Sequence, residues 1–110
     1  MSVHRTGLRD FLLDSLDFIQ ERIEEALTNP ASQLAAINEA GCAIPQMERR
    51  LRDEDEGLWS GCLLAFGPRI QGTGWWENFA KMKRPDFTAE AESLLAPDGQ
   101  IEAVRGLLKS

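Results

Sequence analysis

The chain has 110 residues, of which 43% are hydrophobic and 27% are charged, and its formal net charge is −6. This length suits one domain, spanning 1–110, and the composition is too apolar for a disordered chain. The longest uncharged apolar run, Leu58 to Phe66, is far shorter than the roughly 20 residues of a membrane-spanning helix. No apolar segment of the signal-peptide kind precedes Asp10, so we expect a cytoplasmic location without membrane contact.

Residues 8–27 carry the clearest helical pattern. Apolar side chains recur every three or four residues, at Leu8, Leu12, Leu16, Ile19, Ile23 and Leu27. Thr6 is a candidate N-cap, and Asn29-Pro30 ends the predicted helix because proline disfavours helical geometry in the residue before it. Phe18 falls outside the main apolar stripe, which predicts either contact on two sides or a partly exposed apolar edge.

The opposite face of this predicted helix is acidic. It carries Asp10, Asp14, Asp17, Glu21 and Glu24, and no lysine lies four residues after any of them. One interpretation is a solvated face that keeps the protein soluble. The other is an electrostatic contact surface for a basic partner. The sequence leaves both open, and the negative net charge argues against nucleic acid as a partner because phosphate repels such a surface.

The next predicted helices are short. Residues 31–40 form one, with Leu34 and Ile37 facing inward, and Gly41 is predicted to end it in a left-handed conformation. Pro45 is typical of a first helical position and opens a third helix, in which Met47 and Leu51 face inward. The acids at positions 53–56 lie where they oppose the dipole of that helix, so we expect it to fray before Gly57.

Two predictions remain for residues 58–74. The apolar run 58–66 fits either a helix followed by an irregular loop or a β-hairpin whose tip lies near Gly67 and Pro68. The scarcity of β-branched residues favours the helix and loop.

Three further helices follow in the prediction. They span 75–84, stopped by Pro85, then 89–96, capped by Thr88, and finally 100–108. The expected fold class is therefore all-α, a compact bundle of five to six helices, with a short β-hairpin or irregular loop around 58–74 as the open element.

The segment Gly57–Arg84 concentrates aromatic and basic residues, and we call it the aromatic-basic segment. Its candidate partner-binding residues are Trp59, Arg69, Trp75, Trp76, Lys81, Lys83 and Arg84, against the single acid Glu77. Tryptophan and arginine dominate protein interfaces, although the same residues also serve as core and as helix-end cations. Trp75 and Trp76 are about 100° apart around a helix, so only one of them can point into a given core.

Few residues suited to catalysis are present. The chain has one histidine, His4, and no tyrosine, which removes most general acid–base schemes. Cys42 and Cys62 lack the spacing of a metal or redox motif and are expected to be buried free thiols. Gly72-Thr73-Gly74 lacks the flanking residues of a phosphate-binding loop. We therefore expect no enzyme activity, no metal and no cofactor.

Function is predicted from size, charge and these surfaces. The favoured hypothesis is a non-enzymatic small acidic regulator or inhibitor, of a phage or bacterial accessory type, that binds another protein, either a different chain or itself. The alternative is a winged helix-turn-helix DNA-binding regulator, with Arg49, Arg50 and Arg52 on the recognition helix and Arg69 in the wing. A phage structural or assembly protein is a lesser alternative.

Two short pieces resemble a known family. Leu8-Arg9 with Leu12-Leu13-Asp14, and the run DEDEGLWS at positions 53–60, are similar to parts of lambda-type phage tail-terminator proteins. The resemblance is confined to these two short pieces. It implies a β-rich sheet between and after these pieces, where the periodicity of this chain predicts helices instead.

Overall fold

Helices account for nearly all of the described chain, which runs from Gly7 to Ser110 in a computed structural model. The α-helices are α1 Leu8–Thr28, α2 Gln33–Cys42, α3 Ile44–Glu54, α4 Glu56–Phe66, α5 Gly74–Ala80, α6 Arg84–Leu95 and α7 Gln100–Lys109. Short 3-10 helices occupy Pro30–Ser32 and Gly67–Ile70. These residues form no β-strand, so the all-α prediction is confirmed. The candidate cap Thr6 and the single histidine, His4, lie outside the described residues.

Helix α1 is the centre of the bundle because its apolar stripe meets several partners. Leu12, Leu16, Ile19 and Ile23 are each at most 1% exposed. They pack in a helix that contacts α2, α3, α6 and α7. Helix α1 ends as predicted at Asn29, whose side chain then accepts a hydrogen bond of 3.2 Å from the amide of Ala31. The outer face of α1 carries the exposed acids Asp10, Asp14, Asp17, Glu21 and Glu24.

All seven α-helices contribute to one hydrophobic cluster. Its largest fully buried side chains are those of Trp76, Phe66, Phe79 and Phe87. The rings of Phe79 and Phe87 stack with centroids 4.7 Å apart, which joins α5 to α6. Ile37, Met47 and Leu51 are buried as predicted, whereas Leu34 is 53% exposed, so its predicted inward orientation is wrong.

The β-hairpin considered for 58–74 is absent from the described structure, where residues 56–66 form α4. Asp55 caps this helix by accepting a hydrogen bond of 3.0 Å from the amide of Leu58. Gly61 lies inside α4 beside Leu107 of α7, and a Cβ built there would make an ordinary van der Waals contact of 3.5 Å with that side chain. The acids at 53–56 are divided between two helices, and Asp55 and Glu56 favour the positive N-terminal end of α4.

Gly41 and Pro85, which were predicted to end helices, have other roles in the structure. Gly41 lies inside α2 with an ordinary helical φ, and a Cβ built there would come within 2.7 Å of the Cβ of Trp76. It is therefore a contact glycine, not a left-handed cap. Pro85 is the second residue of α6 and does not stop the preceding helix, since α5 already ends at Ala80 and α6 starts at Arg84. Thr88 consequently lies within α6.

Candidate functional site

The acidic residues of α1 form one continuous exposed line, which we call the acidic ridge. Its members are Asp10, Asp14, Asp17, Glu21 and Glu24, and all five are exposed. Their spacing of three and four residues keeps them on one helical face and spreads them along about 21 Å of the helix axis at 1.5 Å per residue. The structure thus brings together all four of the predicted acidic site residues, with Glu24 as the fifth member of the line.

The acidic ridge is only partly neutralised by neighbouring cations. Arg105 of α7 donates to Asp17 at 2.9 Å, while the same guanidinium also contacts Glu102. Within residues 7–110, Asp10, Asp14 and Glu21 have no ion-pair partner. Arg22 lies on the same helix near the carboxyl end of the ridge, and it pairs with Glu39 of α2 at 3.2 Å. Glu24 also lacks an ion pair, although it accepts a hydrogen bond of 3.2 Å from the Gln20 side chain, so four of the five ridge carboxylates have no cationic partner within the described chain.

A shallow apolar groove lies beside the acidic ridge, and we call it the α1–α3 groove. It has a volume of about 530 Å³ and is lined by Phe18, Glu39, Cys42, Ala43 and Gln46. Phe18 is 42% exposed although it is a large aromatic side chain. It follows Asp14 by four residues and precedes Glu21 by three, so ring and carboxylates share one edge of the helix.

The aromatic-basic segment is used largely within the fold. Trp76 is 0% exposed, its ring packs edge-on against Phe79 at 6.0 Å, and its indole N–H donates to the carbonyl of Arg69 at 2.8 Å. Trp75 is the half-buried member of the pair and lies under the guanidinium of Arg69 at 4.5 Å. The prediction that one of the two tryptophans leaves the core is consistent with this arrangement, and the buried one is Trp76. In this conformation Trp76 offers a partner no surface.

Two of the predicted basic site residues are held by internal partners. Arg69 pairs with Glu90 of α6 at 2.8 Å. Arg84 donates to the carbonyl oxygens of Ala26 at 2.8 Å and Leu27 at 2.6 Å, at the carboxyl end of α1. A cation there complements the negative end of the α1 dipole.

The Arg84 contact belongs to a larger hydrogen-bond network around Gln33. The Gln33 side chain is 9% exposed, accepts from Arg84 at 3.0 Å, and donates to the carbonyls of Ala80 at 3.1 Å and Met82 at 2.9 Å. This network joins α1, α2 and the α5–α6 connection. Each of its hydrogen bonds joins two residues that are 47 to 58 positions apart in sequence, so no local pattern indicated the network.

The other members of the aromatic-basic segment lie nearer the surface. Trp59 is half-buried beneath Arg52, whose guanidinium lies 5.7 Å from the ring centroid. Lys81 and Lys83 are exposed and have no ion-pair partner within Gly7–Ser110. The segment therefore presents two isolated lysines and two partly covered indoles, and not one continuous basic and aromatic surface.

The two cysteines differ in environment. Cys62 is buried as predicted, and this burial raises the pKa of its thiol to about 11. Cys42 is exposed at the carboxyl end of α2, so its predicted burial is wrong. The reason is that α2 turns only Ala36, Ile37, Ala40 and Gly41 toward the core beyond Gln33, and position 42 falls on the outer side. Cys42 lines both the α1–α3 groove and a cleft of about 470 Å³ between α2 and α5.

Among residues 7–110, no group of three or more His, Cys, Asp or Glu side chains is arranged to hold a metal ion. None of the helices in the same residues has the length and apolar character that crossing a membrane requires.

Comparison of the chain with known protein families, with characterised proteins and with solved structures gives no match. The resemblance to tail-terminator proteins therefore has no support, and the β-rich sheet that it implied is absent from the described residues. The candidate site is thus defined by its own geometry. Of that geometry, the sequence indicated the acidic ridge and the off-stripe position of Phe18. It missed the groove, whose other lining residues come from α2 and α3.

Proposed function

We propose that this protein is a small acidic regulator or inhibitor that works without catalysis, by binding a basic partner protein through the acidic ridge. The observation that carries the proposal is that four of the five ridge carboxylates are exposed and have no ion-pair partner among residues 7–110, namely Asp10, Asp14, Glu21 and Glu24. An uncompensated line of charge attracts and orients an oppositely charged partner, and it raises the rate of association.

The balance of charge within the molecule supports a protein partner over DNA. In the winged-helix alternative, the arginines of α3 would contact phosphate. Arg50 pairs with Glu54 at 2.6 Å and Arg52 with Glu48 at 3.4 Å. The wing would require strands, and residues 58–70 are helical. Two of the three α3 arginines are thus engaged by carboxylates of their own helix, and Arg49 alone of the three has no ion pair among the described residues, so the acidic ridge is the stronger candidate surface.

The test is capture of partners by the full chain from a lysate of the cells that express it, read by quantitative mass spectrometry. We expect basic proteins to be retained by the wild type and lost with the Asp14→Lys/Glu21→Lys double variant. The matched control is Glu92→Lys/Asp98→Lys, which makes the same change of net charge at exposed residues elsewhere. Capture that survives the ridge variant, or that is lost equally in the control, would overturn the proposal.

A further inference from the structure

The α1–α3 groove adds an apolar contact to the edge of the acidic ridge. Phe18 is the aromatic side chain that links them, because it lines the groove and lies between Asp14 and Glu21 along α1. Cys42 and Ala43 supply further apolar lining from the α2–α3 junction. A half-exposed phenylalanine beside small side chains is the kind of surface that a partner's apolar side chain covers.

Charge around the groove restricts what can occupy it. Glu39 is the one charged residue in the lining, and Arg22 lies against it. Beyond it lie the carboxylates of the acidic ridge, spread over about 21 Å of helix at 1.5 Å per residue. The carboxylates would repel an anionic segment. A purely apolar segment would bury them without a counter-charge, which costs free energy. A segment with cations along one side satisfies both parts of the surface.

From this juxtaposition we propose that the α1–α3 groove receives one large apolar side chain of a basic amphipathic helix, whose cations lie along the acidic ridge. The proposal deepens the proposed function and rests on it, since it specifies the chemistry of the partner segment. A helix of about 14 residues matches the length of the ridge, with cations recurring at three and four positions. The arrangement is the helix-in-groove mode of recognition, with electrostatic contacts providing orientation.

The test uses a synthetic helical peptide of about 18 residues, long enough to span the ridge. It carries arginines at helical spacing and one tryptophan beside them, and its affinity for the full-length protein is measured by fluorescence anisotropy. A second peptide with the tryptophan changed to alanine keeps the charge. We expect the second peptide to bind about tenfold more weakly, and Phe18→Ser to weaken the first peptide by a similar factor. When the alanine peptide is combined with the Phe18→Ser variant, the affinity should fall by less than the product of the two single factors, because the two rings contact each other.

The matched control is Leu64→Ser. Leu64 is 90% exposed on α4, so this variant removes a surface apolar side chain away from the groove. Its affinity for the peptide should equal that of the wild type. Cys42 gives an independent readout, because its alkylation rate should fall when the tryptophan peptide is bound, while the buried Cys62 remains unreactive throughout.

Three outcomes would overturn the groove assignment. The first is equal binding of both peptides and of the Phe18→Ser variant. If charge reversal at Asp14 and Glu21 still abolishes binding in that case, the proposed function stands and only the groove assignment fails. The second is the absence of peptide binding, with the proposed function then decided by lysate capture alone. The third is a concentration-dependent dimer that Phe18→Ser dissociates, which would make a second copy of this chain the occupant.

Discussion

The aromatic-basic segment and the acidic ridge carry opposite charges and have opposite fates in the fold. In the aromatic-basic segment, Trp76 is buried, Arg69 pairs with Glu90, and Arg84 holds the carbonyls at the end of α1. In the acidic ridge, all five side chains are exposed and Asp17 alone has a cationic partner among the described residues. Residue types that are enriched at interfaces therefore indicate a binding surface only where the fold leaves their side chains exposed and without internal partners.

Loss of Trp76 should cause the largest effect in the aromatic-basic segment. Trp76→Ala removes the largest fully buried side chain and leaves a cavity beside Phe66 and Phe79. We expect the free energy of unfolding to fall by about 3–5 kcal/mol, measured by urea denaturation. A loss below about 1 kcal/mol would show that the indole is not part of the core and would reopen its role as a partner contact.

Arg84 should follow in size of effect. Arg84→Met keeps the length of the side chain but leaves the Ala26 and Leu27 carbonyls and the Gln33 amide oxygen without their donor. Hydrogen bonds to a charged group contribute about 1.5–3 kcal/mol, so we expect a loss of that order in thermal or urea unfolding. Lys83→Met is the matched control at an exposed neighbour and should change stability by less than about 0.5 kcal/mol. Equal effects of the two variants would contradict the structural role of Arg84.

Gly41 and Gly106 should respond to the same substitution with opposite sign. Gly→Ala inside a helix normally stabilises by roughly 0.5–1 kcal/mol, and this is the expected result for Gly106→Ala, which faces open space. At Gly41 the new methyl group would lie 2.7 Å from the Cβ of Trp76. We therefore expect Gly41→Ala to destabilise by about 1–3 kcal/mol through overpacking. Stabilisation by both substitutions, in the same unfolding assay, would refute the close contact of α2 with α5.

The sequence predicted those parts of the fold in which one local pattern has one meaning. The stripe from Leu12 to Ile23 is periodic over several turns, and Asn29-Pro30 closes it, so the register of α1 and the position of its acidic face were predictable. The role of Pro85 could not be predicted, because a proline after a helix and a proline in the first turn of the next helix look alike in sequence.

The candidate site was predictable only where it lies on a single helix. The geometry of adjacent residues showed that Trp75 and Trp76 diverge, but the contact that selects Trp76 for the core is made by Gly41 of α2. The partners of Arg84 lie more than fifty residues away. The α1–α3 groove likewise requires Cys42 and Ala43 to be brought beside Phe18 by tertiary packing. Local periodicity contains no information about these contacts.

Our proposal is that the location of charge on the acidic ridge, and not the net charge of the protein, determines binding. Its most direct test compares two double variants of equal net charge, Asp14→Asn/Glu21→Gln on the ridge and Glu92→Gln/Asp98→Asn away from it. The measurement is the dissociation constant of the tryptophan-bearing basic peptide at fixed salt. We predict that the affinity falls about tenfold, or 1.4 kcal/mol, for the ridge variant and less than twofold for the other variant. Equal losses in both variants would contradict the account.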